Sequence, residues 1–101
     1  MSELAPETTT VLVLEGDLEP HEWEHLRDHI IDAADFGTSA VVLDLSRVTF
    51  FDSHSIRALL GARRALEPRG VTIHLGPCSH IVRVVAEITG IDRAFPPLPP
   101  A

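Results

Sequence analysis

Hydrophobic and polar positions alternate along the chain between short continuous runs and longer periodic stretches. The runs at residues 11–14, 40–45 and 71–75 are rich in apolar and β-branched side chains, which predicts three β-strands. Each run is followed by a stretch in which apolar residues recur every three to four positions, as is typical of amphipathic helices. The alternation of strand and helix predicts right-handed crossovers, and therefore an α/β fold with a mainly parallel central sheet of four to five strands flanked by helices.

The run at residues 40–45 is the most apolar of the three and ends in a polar turn. Val42 and Leu43 are adjacent, so in a strand they point to opposite faces and each requires its own cover. This pattern predicts a strand inside the sheet, between two neighbours and covered on both faces. A second apolar burst at residues 48–51 stops abruptly at Asp52, where a new helical pattern begins.

The helical stretches carry their own start and stop signals. Pro20 suits the first turn of a helix over residues 21–36 that ends before Gly37, and Ser79 suits the cap of a helix that ends at Gly90. In the last helix, the apolar residues at i, i+3, i+4 and i+7 predict the core face; they are Ile81, Val84, Val85 and Ile88. Ile91 and Phe95 are predicted to pack back on the core.

Length and composition predict one domain with a core that needs no cross-links. We expect a domain at residues 11–95, a leader or short edge strand at residues 1–10, and an extended Pro-rich tail at residues 96–101. The net charge of −7 disfavours binding to nucleic acid or to anionic lipid surfaces. The lack of a signal peptide or membrane-length segment, together with a lone Cys78, predicts a cytoplasmic protein.

Two groups of residues contain the ingredients of catalytic sites. HEWEH at residues 21–25 fits the H-E-x-x-H pattern of zinc hydrolases, but His21 and His25 fall on the helix face opposite Leu26 and Ile30, which predicts that they face solvent. Asp52, Ser53 and His54 are neighbours along a turn, whereas the members of a catalytic triad come from separate segments. The sequence therefore predicts no catalytic residue, no metal site and no cofactor.

The stretch from residue 11 to residue 95 resembles a known family. DSHSI at residues 52–56 follows a strand and opens a helix, TGID stands at residues 89–92, and LEGDL at residues 14–18 matches a G-E-L-D turn. These features are similar to the STAS domain of bacterial anti-sigma factor antagonists. The resemblance implies that Ser53 is the serine that a kinase anti-sigma factor phosphorylates, and that Asp17 and Asp52 to Ser55 take part in binding that partner.

The sequence departs from the family pattern just after this serine. His54 stands at the position of the family's second Ser or Thr, Ser55 at that of its Gly, and Arg57 at that of a small residue. We count Arg57 among the predicted partner-binding residues. From the residues alone, a structural N-cap is the favoured interpretation of Ser53, because Ser commonly caps helices, and only the resemblance favours phosphorylation.

We therefore expect an anti-sigma factor antagonist without enzymatic activity. In this hypothesis the unphosphorylated protein binds a serine-kinase anti-sigma factor and releases a sigma factor, and phosphorylation of Ser53 ends the binding. Two alternatives stay open. One is a STAS scaffold subunit of a lipid-transport or stress-sensing assembly that is not phosphorylated, and the other is a zinc hydrolase built on HEWEH.

Overall fold

The structure is a computed structural model that describes residues 8–17, 20–35 and 37–98, without the side chains of residues 8, 17 and 20–24. Strands and helices alternate in the predicted order. The elements are β1 (Thr8–Asp17), α1 (Pro20–Ala33), β2 (Thr38–Phe50), α2 (Ser53–Leu66), a 3₁₀ turn (Glu67–Arg69), β3 (Thr72–Cys78), α3 (His80–Thr89) and α4 (Ile91–Ala94). Residues 1–7, predicted as part of a leader or edge strand, lie outside the described residues, and Thr8–Thr10 belong to β1.

The described part of the sheet has three strands in the order β1-β2-β3, and both neighbouring pairs are parallel. Leu43 lies at the centre of this arrangement, paired with Leu12 on one side and Leu75 on the other. The prediction that the apolar run 40–45 forms an inner strand of a mainly parallel sheet is confirmed.

The two faces of the sheet are covered unequally. Val41, Leu43 and Leu45 alternate along β2 and are fully buried in the core, which also contains Ile30 of α1 and Leu59 of α2. On the other face Val42 is only half-buried, and its β1 neighbours Val11 and Val13 are 61% and 51% exposed. The expectation of full cover on both faces is thus met on one face only among the described residues.

The topology explains this asymmetry. The crossovers β1-α1-β2 and β2-α2-β3 run in the same direction across the sheet, and right-handed crossovers of the same direction place their helices on the same face. In agreement, α1 and α2 pack against each other.

β2 extends further than the sequence pattern indicated. The two apolar bursts belong to a single strand. Its pairing is irregular near the polar residues between them, because the register with β1 shifts between Asp44 and Arg47 and the register with β3 shifts between Leu43 and Leu45. The Asp44 carboxylate accepts hydrogen bonds from the Ser46 hydroxyl at 2.6 Å and from the Ser46 backbone N–H at 3.0 Å. These hydrogen bonds lower the pKa of Asp44.

The core face of α3 differs from the prediction. Val82 and Ala86 are buried, whereas Ile81, Val84 and Ile88 are exposed, Ile88 at 79%. Only Val85 of the predicted set is partly buried against the core. The prediction was wrong because apolar side chains cover more than half of this helix, and the core takes the side that carries Val82 and Ala86.

The chain closes back on the outer edge of β3. Gly90 ends α3 in the left-handed conformation (φ 79°), as the sequence predicted, and Ile91 and Phe95 are buried. The backbone N–H of Leu75 donates to the Phe95 carbonyl oxygen at 3.2 Å, and His74 Nδ1 donates to the Pro96 carbonyl oxygen at 2.7 Å. Pro96, the first residue of the predicted Pro-rich tail, is therefore bonded to the sheet.

Candidate functional site

The candidate site lies at the carboxyl edge of the sheet. Asp17, the last residue of β1, pairs with Phe50, the last residue of β2, and Cys78 at the end of β3 pairs with Leu45. Because the strands are parallel, their carboxyl ends share one edge, where α/β proteins commonly bind ligands and partners. Phe51 is buried and fixes the turn that leads from β2 into α2.

Asp52 is the N-cap of α2. Its backbone is extended (φ −138°, ψ −166°), and its carboxylate accepts hydrogen bonds from the backbone N–H groups of His54 at 3.0 Å and Ser55 at 3.3 Å. In return, the Ser55 hydroxyl oxygen accepts a hydrogen bond from the Asp52 N–H at 3.0 Å, which completes a capping box. The capping function thus belongs to Asp52 and Ser55.

Ser53 occupies the first helical position and is exposed. Its hydroxyl makes no hydrogen bond within the described part of the chain. The interpretation of Ser53 as a structural cap is therefore wrong, because Asp52 fills that role and leaves the Ser53 hydroxyl free to react.

Ser55 was predicted to contact the partner, but in the structure it supports the fold. Its side chain is fully buried and turned toward the capping box. It supports the turn from within, while the neighbouring Ser53 and His54 form the accessible part of the site.

The charge next to Ser53 is negative. Partial burial acts to raise the pKa of Asp52, but the hydrogen bonds from the His54 ring and from the backbone N–H groups of Ser55 and His54 outweigh it and lower this pKa. The His54 Nδ1 atom lies 3.2 Å from the Asp52 carboxylate, and the His54 side chain is exposed. Asp52, the residue before Ser53, is therefore ionised at neutral pH.

Arg57 lies one helical turn after Ser53 and is exposed. Of the predicted contact residues, the structure brings Asp52, Ser53, His54 and Arg57 together at the start of α2. The backbone of Asp17 ends beside the same turn, and its side chain lies outside the described residues.

Two contacts near the site were not predicted. Ser79 precedes α3 but makes no side-chain cap hydrogen bond; its hydroxyl instead donates to the Val48 carbonyl oxygen at 2.7 Å and ties the start of α3 to β2. The stem of Arg27 crosses α2 at Gly61, where an added Cβ would lie 3.1 Å from the Arg27 Cδ atom. The sequence signal for this second contact is a glycine inside a helical pattern, which usually has a packing reason.

The HEWEH segment lies on α1, and most of its side chains lie outside the described residues. His25, its last residue, is exposed as predicted. Among the described residues, no group of three or more His, Cys, Asp or Glu side chains is arranged to hold a metal ion. No described helix is long and apolar enough to cross a membrane.

Comparison with known families agrees with this arrangement. The family model described as "Mlab, STAS domain" matches residues 1–100. The chain belongs to the STAS domain family. One relative, the anti-sigma F factor antagonist of Lysinibacillus sphaericus, is 34% identical over 91 residues, covering 88% of this chain and 77% of the relative.

Several solved structures share the fold. The unphosphorylated form of the anti-sigma factor antagonist SpoIIAA matches with a TM-score of 0.74 and 26% identity, covering 96% of this chain and 85% of SpoIIAA. The phosphorylated form of SpoIIAA, a Bacillus cell fate determinant, matches with a TM-score of 0.64 and 25% identity, covering 96% and 88%. The STAS domain of a SulP transporter from Vibrio cholerae, at 22% identity, a TM-score of 0.66 and coverage of 91% and 70%, shares the fold alone.

Proposed function

We propose that this STAS protein is a non-catalytic anti-sigma factor antagonist that binds an anti-sigma factor of the serine-kinase type and is inactivated when that partner phosphorylates Ser53. The observation that carries the proposal is the exposed Ser53 hydroxyl, which the helix does not need because Asp52 supplies the cap. Similarity to an anti-sigma F factor antagonist and to both phosphorylation forms of SpoIIAA supports it.

In this mechanism the unphosphorylated protein binds through the exposed residues around the start of α2, namely Asp52, Ser53, His54 and Arg57, with Asp17 at the adjoining strand end. Binding withdraws the anti-sigma factor from its sigma factor. The partner then transfers the γ-phosphoryl group of ATP to the Ser53 hydroxyl oxygen, releasing ADP while the hydroxyl proton passes to a base on the kinase.

The phosphate acts on the interface through its charge. It adds about −1.5 to −2 charges at neutral pH, beside the ionised Asp52. A penalty of about 2.8 kcal/mol weakens binding about a hundredfold. The N-terminus of α2 accommodates a negative charge, so the free protein keeps its fold.

A phosphorylation assay tests the proposal. The anti-sigma factor recovered with this protein as bait and identified by mass spectrometry is incubated with the protein and Mg-ATP. We expect one phosphate on Ser53, none on Ser53→Ala, and normal phosphorylation of Ser46→Ala, which removes another exposed hydroxyl. An unmodified Ser53 in the presence of an active kinase would contradict the proposal.

Binding measurements complete the test. Ser53→Ala should bind the anti-sigma factor like the wild type and resist inactivation by ATP. Ser53→Asp should bind at least about tenfold more weakly, since about 1.4 kcal/mol of repulsion is enough. Equal binding of Ser53→Asp and the wild type would count against a charge-based switch.

The alternative of a non-phosphorylated STAS scaffold rests on His54, which replaces the second hydroxyl residue of the resembled motif. In that case the same assay would leave Ser53 unmodified, and Ser53→Asp would retain the complex.

A further inference from the structure

The positive charge of this acidic protein is concentrated on one helix. α2 carries three of the eight arginines and no Asp or Glu, in a chain whose net charge is −7. Arg57, Arg63 and Arg64 are all exposed. The surface of α2 is therefore locally basic.

Helical geometry aligns part of this charge with Ser53. At 100° per residue, Ser53, Arg57 and Arg64 lie within about 40° of each other around the helix. This line is opposite the buried side of α2, which carries Leu59 and Ala62. Arg27 joins it from α1, because its stem crosses α2 at Gly61, between Arg57 and Arg64. We call Arg27, Arg57 and Arg64 the arginine ridge.

Two of the three ridge arginines have no ion-pair partner among the described residues, and the third has only an exposed one. Arg57 and Arg64 form no ion pair with a described residue, and Arg27 lies 3.5 Å from Asp28 with both side chains more than half exposed. Arg64 lies in the last turn of α2, where the helix dipole stabilises a positive charge. Arg57 lies in the N-terminal half of the helix, where the dipole gives a positive charge no stabilisation. Helix stability therefore does not account for Arg57.

We propose that the arginine ridge is a docking surface for an acidic surface of a partner protein. The inference rests on the proposed function, in which that partner is the anti-sigma factor. A net charge of −7 repels anionic lipids as a whole, whereas a protein partner can meet the ridge alone. Complementary charges at such a surface mainly increase the association rate and fix the orientation of binding.

The ridge also gives phosphorylation a specific consequence. Ser53 and Arg57 are four residues apart, so their side chains are neighbours on the helix surface. A phosphate on Ser53 can pair with Arg57, and its charge of about −1.5 to −2 offsets most of the positive charge of Arg57 and Arg64. Modification thus weakens the attraction that holds the acidic partner.

Charge reversal tests the ridge. Arg57→Glu combined with Arg64→Glu is compared with the wild type in binding kinetics with the purified anti-sigma factor, at about 0.05 and 0.5 M NaCl. We expect the double variant to associate about tenfold more slowly or worse at low salt, with the difference largely lost at high salt. Arg93→Glu, an exposed residue of α4, is the matched control and should stay within about twofold of the wild type, since it is a surface charge away from the ridge.

The outcomes separate the two proposals. If the double variant and the wild type bind alike, or if binding does not respond to salt while Ser53→Asp still fails to bind, the ridge is wrong and the proposed function stands. If the wild type binds no anti-sigma factor, both are overturned. Binding of the wild type, but not the double variant, to phosphatidylglycerol vesicles, with anti-sigma binding unchanged, would assign the ridge to lipid. Circular dichroism of each variant shows whether the fold is kept.

Discussion

At the scale of the residue, Asp52 and its neighbour Ser53 have different roles in the candidate site. Asp52 and Ser55 hold the first turn of α2, and Ser53 lies between them with a hydroxyl that bonds to none of the described residues. A substitution at position 52 should therefore affect folding, and one at position 53 should affect binding.

A variant without the N-cap side chain tests whether Asp52 stabilises the fold. Asp52→Ala should lower the free energy of unfolding by about 0.5–2 kcal/mol, because the N–H groups of His54 and Ser55 lose their acceptor. Ser53→Ala should change it by less than about 0.5 kcal/mol. Urea denaturation followed by circular dichroism compares the two variants, and equal losses would contradict this difference in roles.

The same carboxylate makes stability depend on pH. The pKa of Asp52 is lower in the folded protein than its ordinary value, so the folded state binds the proton less strongly than the unfolded chain. This contribution is fully present above about pH 4, the ordinary pKa of Asp, and is lost as the pH falls through the lower folded value. Asp44 behaves in the same way through Ser46.

Unfolding measured from about pH 6 to pH 2 should thus show a shallower acid decline for Asp52→Asn than for the wild type. Asp44→Asn should flatten the decline independently, since it has its own hydrogen bonds. An unchanged slope in both variants would show that other groups control the acid limit.

The sequence located the site but could not assign its residues. Asp52 and Ser53 are both good N-caps, and only the extended backbone of Asp52 with the returning bond from Ser55 decides between them. Likewise, the family resemblance implied that Ser55 is a contact residue, although the third position of a capping box turns its side chain inward.

At the scale of the element, α3 shows where hydrophobic periodicity reaches its limit. Its apolar residues cover both the side of Val82 and Ala86 and the side of Val84 and Ile88. Either side fits the spacing of a core face, so the pattern alone could not choose. The three parallel strands were predictable because each of their runs is continuous and bounded by turn residues.

Replacing valine by alanine at two positions of α3 tests which face of the helix is buried. Val82→Ala should cost about 1.5 kcal/mol or more, because Val82 is fully buried and loses two methyl groups. Val84→Ala, at 36% exposure, should cost clearly less. Thermal and urea unfolding compare the pair, and the reverse order would restore the face predicted from periodicity.

Two glycines should respond with opposite signs. A Cβ on Gly76 would lie 2.8 Å from Val42 Cγ1 and 3.1 Å from the Leu43 carbonyl oxygen, so Gly76→Ala should cost about 1–3 kcal/mol. A Cβ on Gly61 meets only the flexible stem of Arg27, and alanine gains up to about 1 kcal/mol of helix propensity. Gly61→Ala should therefore be neutral or stabilising in urea unfolding, and a large loss there would indicate a rigid Arg27 contact.

At the scale of the whole molecule, the order and direction of the strands determine where the helices and the strand ends lie. The consecutive strand order places α1 and α2 on one face, which lets Arg27 reach α2, and the parallel strands bring Asp17 and Ser53 to one edge. The sequence predicted a mainly parallel sheet with the 40–45 run between two neighbours. It could not predict the Arg27 contact, which depends on how closely two helices approach.

The closure of the chain on β3 should contribute much of the stability. Phe95→Ala should lower the free energy of unfolding by about 3–5 kcal/mol, because a fully buried aromatic ring is lost. Leu98→Ala, further along the same segment and partly exposed, should cost less than about 1 kcal/mol. If calorimetry gave similar losses for both, Phe95 would not anchor the segment.

This closure of the chain on β3 also affects how copies of the protein associate with each other. An open strand edge is a template on which further strands, from other copies, can add. Along β3 the segment that occupies the edge continues through Pro96 and Pro97, which have no backbone N–H to offer to an incoming strand. Beyond the point where Leu75 bonds to Phe95, the next two residues therefore supply no N–H donor with which another copy could extend the sheet.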